Sequence, residues 1–576
     1  MKDKMWMIRS VESDTLVEEI RSKLKVDPII ARLLVQRGII TYEDAEHFFN
    51  PKLKELHDPF LMKGMQEAAD LLSGALQTNK KILLYGDYDV DGTTAVAVMH
   101  NVLSHYTNNL SYYIPDRYSE GYGLSEQGVD FAIEQSVNIM ILLDCGIKSV
   151  DKIAHLEENG VKVIVCDHHT PGEKVPECIV LDPKQNDCDY PYKELSGCGV
   201  GFKLLQGVME RGVIDHNLVF DQLDLLAISI GADIVDVMGE NRILAYHGLL
   251  QLNSAPRNAF AMLIQQAGRS FPLTLSDVVF TIAPRINAAG RLRSGSFAVE
   301  MMIHPDIDET RRLVTEIEAD NMERRHLDND ITKEALAIIY GEGLEENCTT
   351  VLHGEDWHKG VVGIVASRLI ENFYRPTIVF SGDGDVLTGS ARSIPGINIY
   401  EMIEKCEEHL IQFGGHAFAA GLTIERKKLD DFRSAFEKII GDNFNQSLFK
   451  EVVEVDAEFS FGDLFGPDEN RLRIPRIKRI IDRFEPFGPG NMKPVFLSKN
   501  LYSTEARVLK EEHLKLKVTQ PPNDLVIDAI GFRIAEKMDE VASGLPFDMV
   551  YTLENNTWND RTTLQLMIRD VRESQF

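Results

Sequence analysis

Residues 80–94 read KKILLYGDYDVDGTT, and this stretch decides the fold of the region around it. The apolar run KKILLYG (80–86) predicts a buried strand, and TTAVAVMHNVLSHY (93–106) predicts the helix that follows it. The apolar runs VNIMILLD (137–144) and VKVIVCD (161–167) alternate with helical patterns in the same way. This alternation predicts a parallel sheet with helices on both faces, because a doubly covered sheet needs strands that are apolar throughout.

Side chains of the types that commonly bind metal ions follow each of these three strands. Asp87, Asp89 and Asp91 follow the first, Asp144 follows the second, and DHH (167–169) follows the third. Ligands of an open parallel sheet bind at the carboxyl ends of the strands, so we expect these groups to converge. Carboxylates and imidazole without thiolate suit Mn²⁺ or Mg²⁺. The ligands outnumber the needs of one such ion, which indicates two ions about 3.5–4 Å apart, an arrangement that cleaves phosphoesters.

Two other motifs share part of DYDVDG. An EF-hand loop is excluded, because its twelfth position would be Val98 instead of a bidentate Glu and because a strand precedes the segment. The nucleophile motif of haloacid dehalogenases also resembles DVDGT (89–93) after an apolar strand. That alternative stays open, although it uses one strand end only and leaves His168 and His169 without a role.

The composition is that of a soluble globular protein. At about 150 residues per domain, 576 residues predict three or four domains. The chain has no long apolar stretch and no signal-like N-terminus, so we expect a cytoplasmic location and no membrane partner. Seven cysteines without a CxxC pair predict reduced thiols. The net charge of −29 argues only weakly against a nucleic-acid partner, because a local basic groove decides phosphate binding.

The pattern along the chain changes three times. Residues 306–340 contain neither Gly nor Pro and predict one long polar helix, which is typical of a connector between domains. A second α/β segment follows, and strand-like runs separated by turns then predict a small barrel or sandwich. The predicted fold is thus α/β with a β-rich C-terminal region. The predicted divisions are an N-terminal segment, a phosphoesterase domain, a connecting helix, a smaller α/β domain and a C-terminal domain, at 1–50, 51–305, 306–344, 345–445 and 446–576.

Several long motifs extend this interpretation by resemblance. YGDYDVDGTT, LLDCG and VCDHHTPG, in this order, resemble motifs of the DHH phosphoesterase superfamily. The segments PRINAAGRL (284–292), GEDWHKGVVGIVASRL (354–369), GSARSIPG (389–396) and FGGHAFAAGL (413–422) resemble its RecJ branch, which carries a DHHA1 domain. The resemblance implies a parallel-sheet DHH domain, a DHHA1 domain and an OB-fold-like domain. It also implies a single-strand-specific 5′→3′ DNA exonuclease that releases 5′-mononucleotides in DNA repair and recombination.

The resemblance also implies site residues. The implied metal ligands are Asp87, Asp89, Asp91, Asp144, His168 and Asp233, with Asp236 as the runner-up for the last position. His169 is expected beside the scissile phosphate, so the implied catalytic residues are His169, Asp144 and His168. The implied substrate-binding residues are Arg117, Arg285, Asn287, Arg291, His358, Ser390, Arg392, Gly414, Gly415 and His416. Among these, Ser390, Arg392 and Arg117 correspond to a pocket for the 5′-terminal phosphate.

A basic run, RLRIPRIKRIIDR (471–483), begins the barrel-like region and is the clearest local exception to the acidic total. An OB-fold-like domain with this run would bind single strands, with Phe484, Phe487 and Trp558 as candidate stacking residues. We therefore expect single-stranded DNA as partner, together with a single-strand-binding protein and a RecQ-type helicase, and a monomeric chain. Two alternatives remain: a DHH-type phosphodiesterase for short oligonucleotides or cyclic dinucleotides, and a single-strand-binding protein with a decayed site.

Overall fold

The computed structural model describes residues 4–11, 13–465, 474–559 and 561–574, with the side chain of Trp558 left undescribed. The chain forms two compact units. One combines Ile8–Glu318 with Glu454–Phe576, and the other combines Met1–Met7 with Ala319–Val453. The N-terminal segment, the sheet region and the C-terminal region thus pack together, while the five domain limits given above stay predictions.

The N-terminal segment is helical after one short strand. Its elements are β1 (Met5–Ile8), α1 (Asp14–Leu24), α2 (Pro28–Val35) and α3 (Tyr42–Phe49). The helix start predicted at Thr41 is confirmed as a capping box, because the Thr41 side chain accepts from Asp44 N and the Asp44 carboxylate accepts from Thr41 N.

The first sheet is the parallel sheet that the sequence predicts. Its strands are β2 (Ile82–Gly86), β3 (Leu110–Tyr113), β4 (Ile139–Leu143), β5 (Lys162–Cys166) and β6 (Ile179–Leu181), in the order β3-β2-β4-β5-β6. All neighbours are parallel, and the helices α4 (Met65–Gln77), α5 (Val90–Leu103), α6 (Glu126–Glu134) and α7 (Val150–Glu158) connect or flank them. Alternate residues of β2 enter two different apolar cores, Leu84 one and Leu83 the other. The sheet is therefore covered on both faces, and the carboxyl ends of β2, β4 and β5 lie side by side.

A helical region follows the sheet. It comprises α8 (Gly197–Glu210), α9 (His216–Phe220), α10 (Leu223–Ala232), α11 (Gly239–Ser254), α12 (Asn258–Gln266), α13 (Leu275–Asp277), α14 (Ala283–Leu292) and α15 (Ser296–Ile303). The apolar residues of α8 and α10 join the core that lies under β2 and α5. This packing brings the start of α8 and the end of α10 to the carboxyl edge of the sheet, as described below.

The predicted connecting helix is confirmed as α16 (Ile307–Gly341), one uninterrupted helix of 35 residues. The division between the two compact units falls inside it, after Glu318. Its few buried apolar residues include Leu313, Ile317 and Ile331. The helix therefore belongs to both units and connects them, as its polar sequence predicts.

The second unit is an α/β layer. Its elements are β7 (Thr350–Gly354), α17 (Val362–Phe373), β8 (Thr377–Ser381), β9 (Val386–Arg392), α18 (Ile399–Glu404), β10 (Leu410–His416), β11 (Ala419–Glu425) and α19 (Leu429–Asn443). The strand order is β10-β11-β9-β8-β7, with β7 and β8 parallel and the other neighbours antiparallel. α17 packs on β8 and β9 and so brings its N-terminus to the end of β9.

The C-terminal region is the predicted barrel. Its elements are β12 (Val452–Val455), β13 (Ala457–Glu458), α20 (Arg476–Asp482), β14 (Phe496–Leu509), β15 (His513–Thr519), β16 (Val526–Gly531), α21 (Met538–Ala542), β17 (Phe547–Trp558) and β18 (Arg561–Glu573). β14 pairs with β15 on one side and with β17 on the other, so the order β14-β15-β16-β18-β17 closes on itself. β13 pairs with β14 in parallel and β16 pairs with β18 in parallel, whereas the pairs β14–β15, β14–β17, β15–β16 and β17–β18 are antiparallel.

The barrel shares one apolar core with the N-terminal helices. Ile30, Leu34 and Phe48 lie in the same buried cluster as Phe496 and Phe547. All seven cysteines are free thiols. No helix in the described part of the chain has the length and the apolar character needed to cross a membrane.

Candidate metal centre

The turn from β2 into α5 carries the first three acidic residues. Asp87 directly follows β2, Asp89 is the N-cap of α5 and accepts from Gly92 N at 3.1 Å, and Asp91 lies in the first helical turn. Gly92 is required here, because a Cβ at this position would lie 2.4 Å from the Asp87 carbonyl oxygen. The tight turn therefore presents three carboxylates within five residues at the carboxyl end of β2.

Asp91 is oriented by two helices. Its carboxylate accepts hydrogen bonds from Gly197 N at 2.7 Å, Cys198 N at 2.9 Å and Ser229 Oγ at 2.6 Å. The two amides belong to the first turn of α8, where unpaired N–H groups favour an anion. Ser229 lies on α10 and is a supporting residue that sequence reasoning missed, because nothing in a lone buried serine indicates its partner.

Asp144 follows β4 in an unusual backbone conformation. Its φ is +61°, in the left-handed region that residues other than Gly rarely adopt. The start of α8 lies against it, since a Cβ at Gly197 would lie 2.7 Å from Asp144 Cα. Such conformations concentrate at functional sites, where the surrounding structure holds them in place.

The predicted ligands converge. His168 Nε2 lies 3.3 Å from Asp144 Oδ1, 3.4 Å from Asp233 Oδ2 and 3.8 Å from Asp91 Oδ2. Ligand atoms of Asp87, Asp89 and Asp144 form a second group, in which every atom lies within 4.8 Å of the others. The two groups share the region of Asp144, so the six side chains form one continuous cluster.

Asp233 joins this cluster, whereas its runner-up does not. Asp233 ends α10 and, with Asp91 and His168, forms one of the metal-type groups found among the described residues. Asp236 belongs to none of those groups, and its Oδ1 accepts from Met238 N at 2.8 Å. The geometry therefore supports Asp233 over Asp236 in the ligand set that the resemblance implies.

Burial and the repulsion between neighbouring carboxylates raise the pKa values of three of these acids. Burial, reinforced by Asp89, raises the pKa of Asp87 well above its ordinary value. Burial, reinforced by Asp91 and other carboxylates, does the same to the pKa of Asp144. The pKa of Asp233 rises to about 9, first through burial and then through Asp91 and Asp89. Without a cation, the cluster thus favours protonated acids.

The cluster fits a divalent cation. Both carboxylate oxygens of Asp87, Oδ1 of Asp144, Oδ2 of Asp233 and both ring nitrogens of His168 are buried and find no hydrogen-bond partner among the described residues. A buried polar atom without a partner is costly, and metal coordination satisfies it. Hard carboxylate oxygens and imidazole without thiolate are the donors that suit Mn²⁺ or Mg²⁺.

His169 borders this cluster, because ligand atoms of Asp144, His168 and His169 all lie within 4.8 Å of one another, and it also forms a contact chain of its own. Its Nδ1 lies 2.7 Å from Asp167 Oδ1, and its Nε2 lies 2.9 Å from the hydroxyl of Tyr122. Burial alone would lower the pKa of His169, but the bond to Asp167 raises it. Burial alone would raise the pKa of Asp167, but His169 and the amides of Ile147 and His169 bring it to about 2. Asp167 therefore orients His169 and favours its charged form, while Tyr122 is a contact that the sequence did not indicate.

The substrate-binding candidates of this unit lie in different environments. Arg117 stacks on Tyr88, with the guanidinium carbon 4.8 Å from the ring centroid. Asn287 and Arg291 are half-buried on α14. Arg285 is buried and forms an ion pair with both carboxylate oxygens of Glu318. The structure thus gives Arg285 an internal partner, and phosphate binding by these residues stays a prediction.

The candidates of the second unit gather at the end of β9. Arg392 Nη1 donates to Ser390 Oγ at 2.9 Å, and a Cβ at Gly363 on α17 would lie 2.8 Å from both side chains. The start of α17 has no side-chain cap. His358 precedes it and accepts from Gly360 N at 3.0 Å. A hydroxyl, a guanidinium and a helix N-terminus together form the chemistry of a phosphate site.

Two adjacent glycines favour a flexible turn, but Gly414, Gly415 and His416 do not form one. All three residues lie in β10, the outer strand of the sheet, with His416 opposite Ala419. Gly415 has φ +153°, and a Cβ there would lie 2.3 Å from the Ala419 carbonyl oxygen. The glycines allow β10 to approach β11 closely, and their side of the edge strand is exposed.

The basic run of the barrel region is only partly accessible. Lys478 is buried and ion-paired with Asp482, whereas Arg476 and Arg479 on α20 are exposed. Arg471 and Arg473 lie outside the described residues. Phe484 is not a stacking residue, because it is buried against Phe48 and Phe49. Phe487 packs half-buried on the same core, and the side chain of Trp558 lies outside the description.

Comparison with known proteins agrees with this arrangement. Residues 81–230 match the DHH family, N-terminal domain, residues 345–442 match the DHHA1 domain, and residues 474–570 match the RecJ OB domain. The chain is 36% identical, over 99% of its length, to the single-stranded-DNA-specific exonuclease RecJ of Bacillus subtilis, of which it covers 71%.

Solved structures extend the similarity to the whole fold. The crystal structure of RecJ from Thermus thermophilus in complex with Mn²⁺ matches with a TM-score of 0.83 and 28% identity, covering 100% of this chain and 81% of that one. The Mg²⁺ complex of the same protein matches with a TM-score of 0.78 and 26% identity, covering 100% and 80%. Because sequence identity, domain order and fold agree along the whole length, the chain belongs to the RecJ family.

Proposed function

We propose that this protein is a metal-dependent exonuclease specific for single-stranded DNA. The observation that carries the proposal is the cluster of five carboxylates and one imidazole, in which Asp87, Asp144, Asp233 and His168 keep buried oxygens and nitrogens without a hydrogen-bond partner among the described residues. The similarity along nearly the whole chain supports the proposal, because the similar proteins are named single-stranded-DNA-specific exonucleases. The similar structures hold Mn²⁺ or Mg²⁺, the ions for which this donor set is suited.

The proposal assigns two ions to the cluster. One ion would be held by Asp91, His168 and Asp233, and the other by Asp87 and Asp89. The Asp144 side chain lies near both groups of ligands. Bound there, two such ions activate water and stabilise the leaving oxygen of a phosphodiester. Six ligands divided over two groups account for all of the predicted metal residues.

His169 is the proposed donor to the scissile phosphate. Asp167 binds Nδ1 of His169, and Nε2 contacts the Tyr122 hydroxyl. A phosphate oxygen could replace that hydroxyl as the hydrogen-bond partner of Nε2. A charged imidazole stabilises an oxyanion through a charge-assisted hydrogen bond. The proposed catalytic set is thus His169, Asp144 and His168.

The proposal includes 5′→3′ polarity with release of 5′-mononucleotides. Ser390 and Arg392, beside the uncapped start of α17, would bind a 5′-terminal phosphate. The assignment of Arg117 to this phosphate rests on the resemblance alone. His358, Asn287, Arg291, Arg285, Gly414, Gly415 and His416 complete the proposed substrate contacts. A docked chain end explains polarity, because the next phosphodiester is then the one that is cut.

Digestion of a long single strand tests the activity and its direction. Oligonucleotides labelled at the 5′ or the 3′ end are incubated with the full chain and Mn²⁺, and the products are sized. We expect the 5′ label to appear at once in mononucleotides and the 3′ label to persist in shortening strands. Early release of a 3′-labelled mononucleotide contradicts the polarity, and hydrolysis confined to dinucleotides or cyclic dinucleotides supports the phosphodiesterase alternative instead.

The proposed setting follows from the substrate. Single strands arise where a helicase separates a duplex, and they are covered by single-strand-binding protein, so we infer a RecQ-type helicase and such a protein as partners. We also infer a monomer in the cytoplasm, acting in DNA repair and recombination. Co-sedimentation of the purified chain with each partner, with and without DNA, tests these contacts.

A further inference from the structure

Asp233 differs from the other proposed ligands in the way its backbone is held. It ends α10 and begins the loop Asp233–Met238, which pairs with no strand. Ile234 next to it has φ +59° and is 67% exposed. The helix α10 holds the backbone of Asp233 through the hydrogen bond from Asp233 N to Ser229 O at 2.9 Å, and other contacts must hold the rest of the loop.

Residues at the other end of the loop supply part of the anchoring. The carbonyl oxygen of Asp236 accepts hydrogen bonds from Asn241 Nδ2 at 2.9 Å and from the Tyr192 hydroxyl at 3.0 Å. Asn241 is fully buried in the first turn of α11. The loop is thus tied to the start of α11.

The segment that enters the barrel supplies the rest. We call Phe487–Asn491 the clamp loop. Val237 N donates to Pro489 O at 2.8 Å, and Val237 itself is fully buried. A Cβ at Gly488 would lie 2.4 Å from Val237 Cγ2, and a Cβ at Gly490, which has φ +74°, would lie 2.3 Å from Asp236 Oδ2. The clamp loop therefore touches the Asp233 loop with no room for a side chain.

The clamp loop is itself rigidly held. Gly488 and Asn491 exchange two backbone hydrogen bonds, and the buried Asn491 side chain donates to the carbonyl oxygens of Phe484 and Pro486. Arg37 Nε donates to Asn491 Oδ1 at 2.8 Å. Arg242, one residue after Asn241, donates to the carbonyl oxygens of Phe484 and Glu485. The Asp233 loop is thus tied to α11 through Asn241, and the segment before the clamp loop is tied to α11 through Arg242.

We propose that the clamp loop of the C-terminal region positions Asp233 in the metal centre, so that Gly490 and Val237 are positioning residues for metal binding. The inference rests on the proposed metal centre. It gives the C-terminal region a role in ion affinity in addition to any contact with DNA. Residues that support ligands from outside the coordination shell typically change metal affinity by about 10–100-fold when altered.

The test compares two glycine variants of the full chain. Gly490→Ala places a methyl group against Asp236, whereas Gly544→Ala places one in open space at a nearly identical φ of +78°. Mn²⁺ binding is measured by titration calorimetry without DNA, and the melting temperature is measured in EDTA. We expect Gly490→Ala to raise the Kd for Mn²⁺ about tenfold or more, while Gly544→Ala stays within about twofold of the unaltered protein. Equal Kd values for the two variants would overturn the proposal.

A second change separates positioning from general damage. Asp236→Ala removes the atoms that the new methyl group meets, so the double variant Gly490→Ala/Asp236→Ala should regain most of the Mn²⁺ affinity. A double variant as weak as Gly490→Ala contradicts the mechanism. Failure of the unaltered protein to bind Mn²⁺ would instead reject the proposed metal centre, and the two failures are therefore distinguishable.

A third pair applies if Gly490→Ala does not fold. Val237→Ala loosens the contact without any clash, and Val219→Ala removes an equally buried valine from α9. Both should lower the melting temperature, because both leave a cavity. Only Val237→Ala should weaken Mn²⁺ binding, and an equal Kd for the two valine variants would reject the role of the clamp loop.

Discussion

Asp144 combines a left-handed backbone with a buried carboxylate whose pKa is raised by burial and by its acidic neighbours. The left-handed backbone costs stability whether or not a cation is bound. The buried carboxylate costs stability when no cation is present, since buried like charges repel each other. Asparagine tolerates the left-handed region better than most residues and has the same shape as aspartate. The Asp144→Asn change therefore removes the negative charge of this ligand while keeping the shape and the backbone conformation of the residue.

We expect Asp144→Asn to lower hydrolysis more than about 100-fold, the upper end of what changes outside the coordination shell cost. In EDTA the variant should melt at or above the temperature of the unaltered protein, because one buried acid is gone. The matched control is Asp130→Asn, an exposed acid of α6. Digestion assays and melting curves with EDTA or Mn²⁺ check both statements, and near-normal turnover at saturating Mn²⁺ would remove Asp144 from the site.

The metal-free protein should lose stability as pH rises from about 4 to about 9. The pKa of Asp233 is about 9 in the folded chain against an ordinary 3.8, so the folded state binds more protons than the unfolded state in this window. Linkage then lowers the free energy of unfolding as pH rises. Melting temperatures of the unaltered protein and of Asp233→Asn, measured in EDTA across the window, provide the check. A pH-independent difference between the two proteins would contradict the raised pKa.

Arg392 should affect how the enzyme recognises the 5′ end of the DNA strand, and should not affect metal binding. If Ser390 and Arg392 hold the 5′ phosphate, phosphorylated strands are cut faster than strands with a 5′ hydroxyl. A charged hydrogen bond contributes about 1.5–3 kcal/mol, so Arg392→Ala should reduce this preference roughly tenfold to a hundredfold in kcat/KM. Lys427→Ala, which removes an exposed charge from the same unit, is the control. An unchanged preference in Arg392→Ala would reject the pocket.

At the scale of elements, the start of α8 is the part of the site that depends most on close packing. Its amides orient Asp91, and its first residue lies against Asp144. The helix thus serves the cluster through backbone groups, which can approach this closely only where side chains are absent.

Two glycines of α8 should differ in their response to substitution. Gly197→Ala would place a methyl group 2.7 Å from Asp144 Cα, whereas the nearest atom to a methyl group at Gly199 lies at an ordinary 3.4 Å. We expect Gly197→Ala to lose at least about tenfold in Mn²⁺ affinity and in hydrolysis, and Gly199→Ala to stay within about twofold. Calorimetry and digestion of one oligonucleotide measure this, and equal behaviour of the two variants would contradict the packing argument.

At the scale of the whole molecule, the C-terminal barrel is joined to the rest of its unit by more than a linker. The N-terminal helices and the barrel share one core, and Arg242 binds the carbonyl oxygens of Phe48, Phe484 and Glu485. Removing the barrel alone would expose the apolar face that Ile30 and Leu34 form. Point changes on its surface are therefore the better probe of DNA binding.

Exposed arginines of the barrel region should set the salt dependence of binding. Arg476, Arg479 and Arg483 are exposed at α20 or directly after it. If each meets a phosphate, changing all three to Gln should flatten the slope of log K against log salt by about 2, because fewer counterions are released. Binding of a long single strand at several salt concentrations measures the slope.

The control for this prediction removes an equal charge from other exposed positions of the same unit, namely Arg21, Lys23 and Arg269. It should leave the slope nearly unchanged. An equal effect of both triple variants would mean that net charge, rather than these arginines, governs binding.

The sequence by itself determined the elements and their chemistry. Apolar runs predicted β2, β4 and β5, the polar stretch without Gly or Pro predicted α16, and the acidic residues after the strands predicted a metal centre. These features are local, because periodicity and strand ends depend on neighbouring residues only. The resemblance to the RecJ branch then supplied Asp233 and the substrate contacts.

Only the tertiary structure decided which distant side chains meet. It brings Asp233 instead of Asp236 to His168, pairs Arg285 with Glu318, and buries Lys478 and Phe484, which the sequence presented as candidates for DNA. It also places Gly414 and Gly415 in an edge strand. The clamp loop contacts the Asp233 loop through a hydrogen bond between residues far apart in the chain. Contacts between residues far apart in the chain depend on how elements pack, and no local pattern encodes that packing.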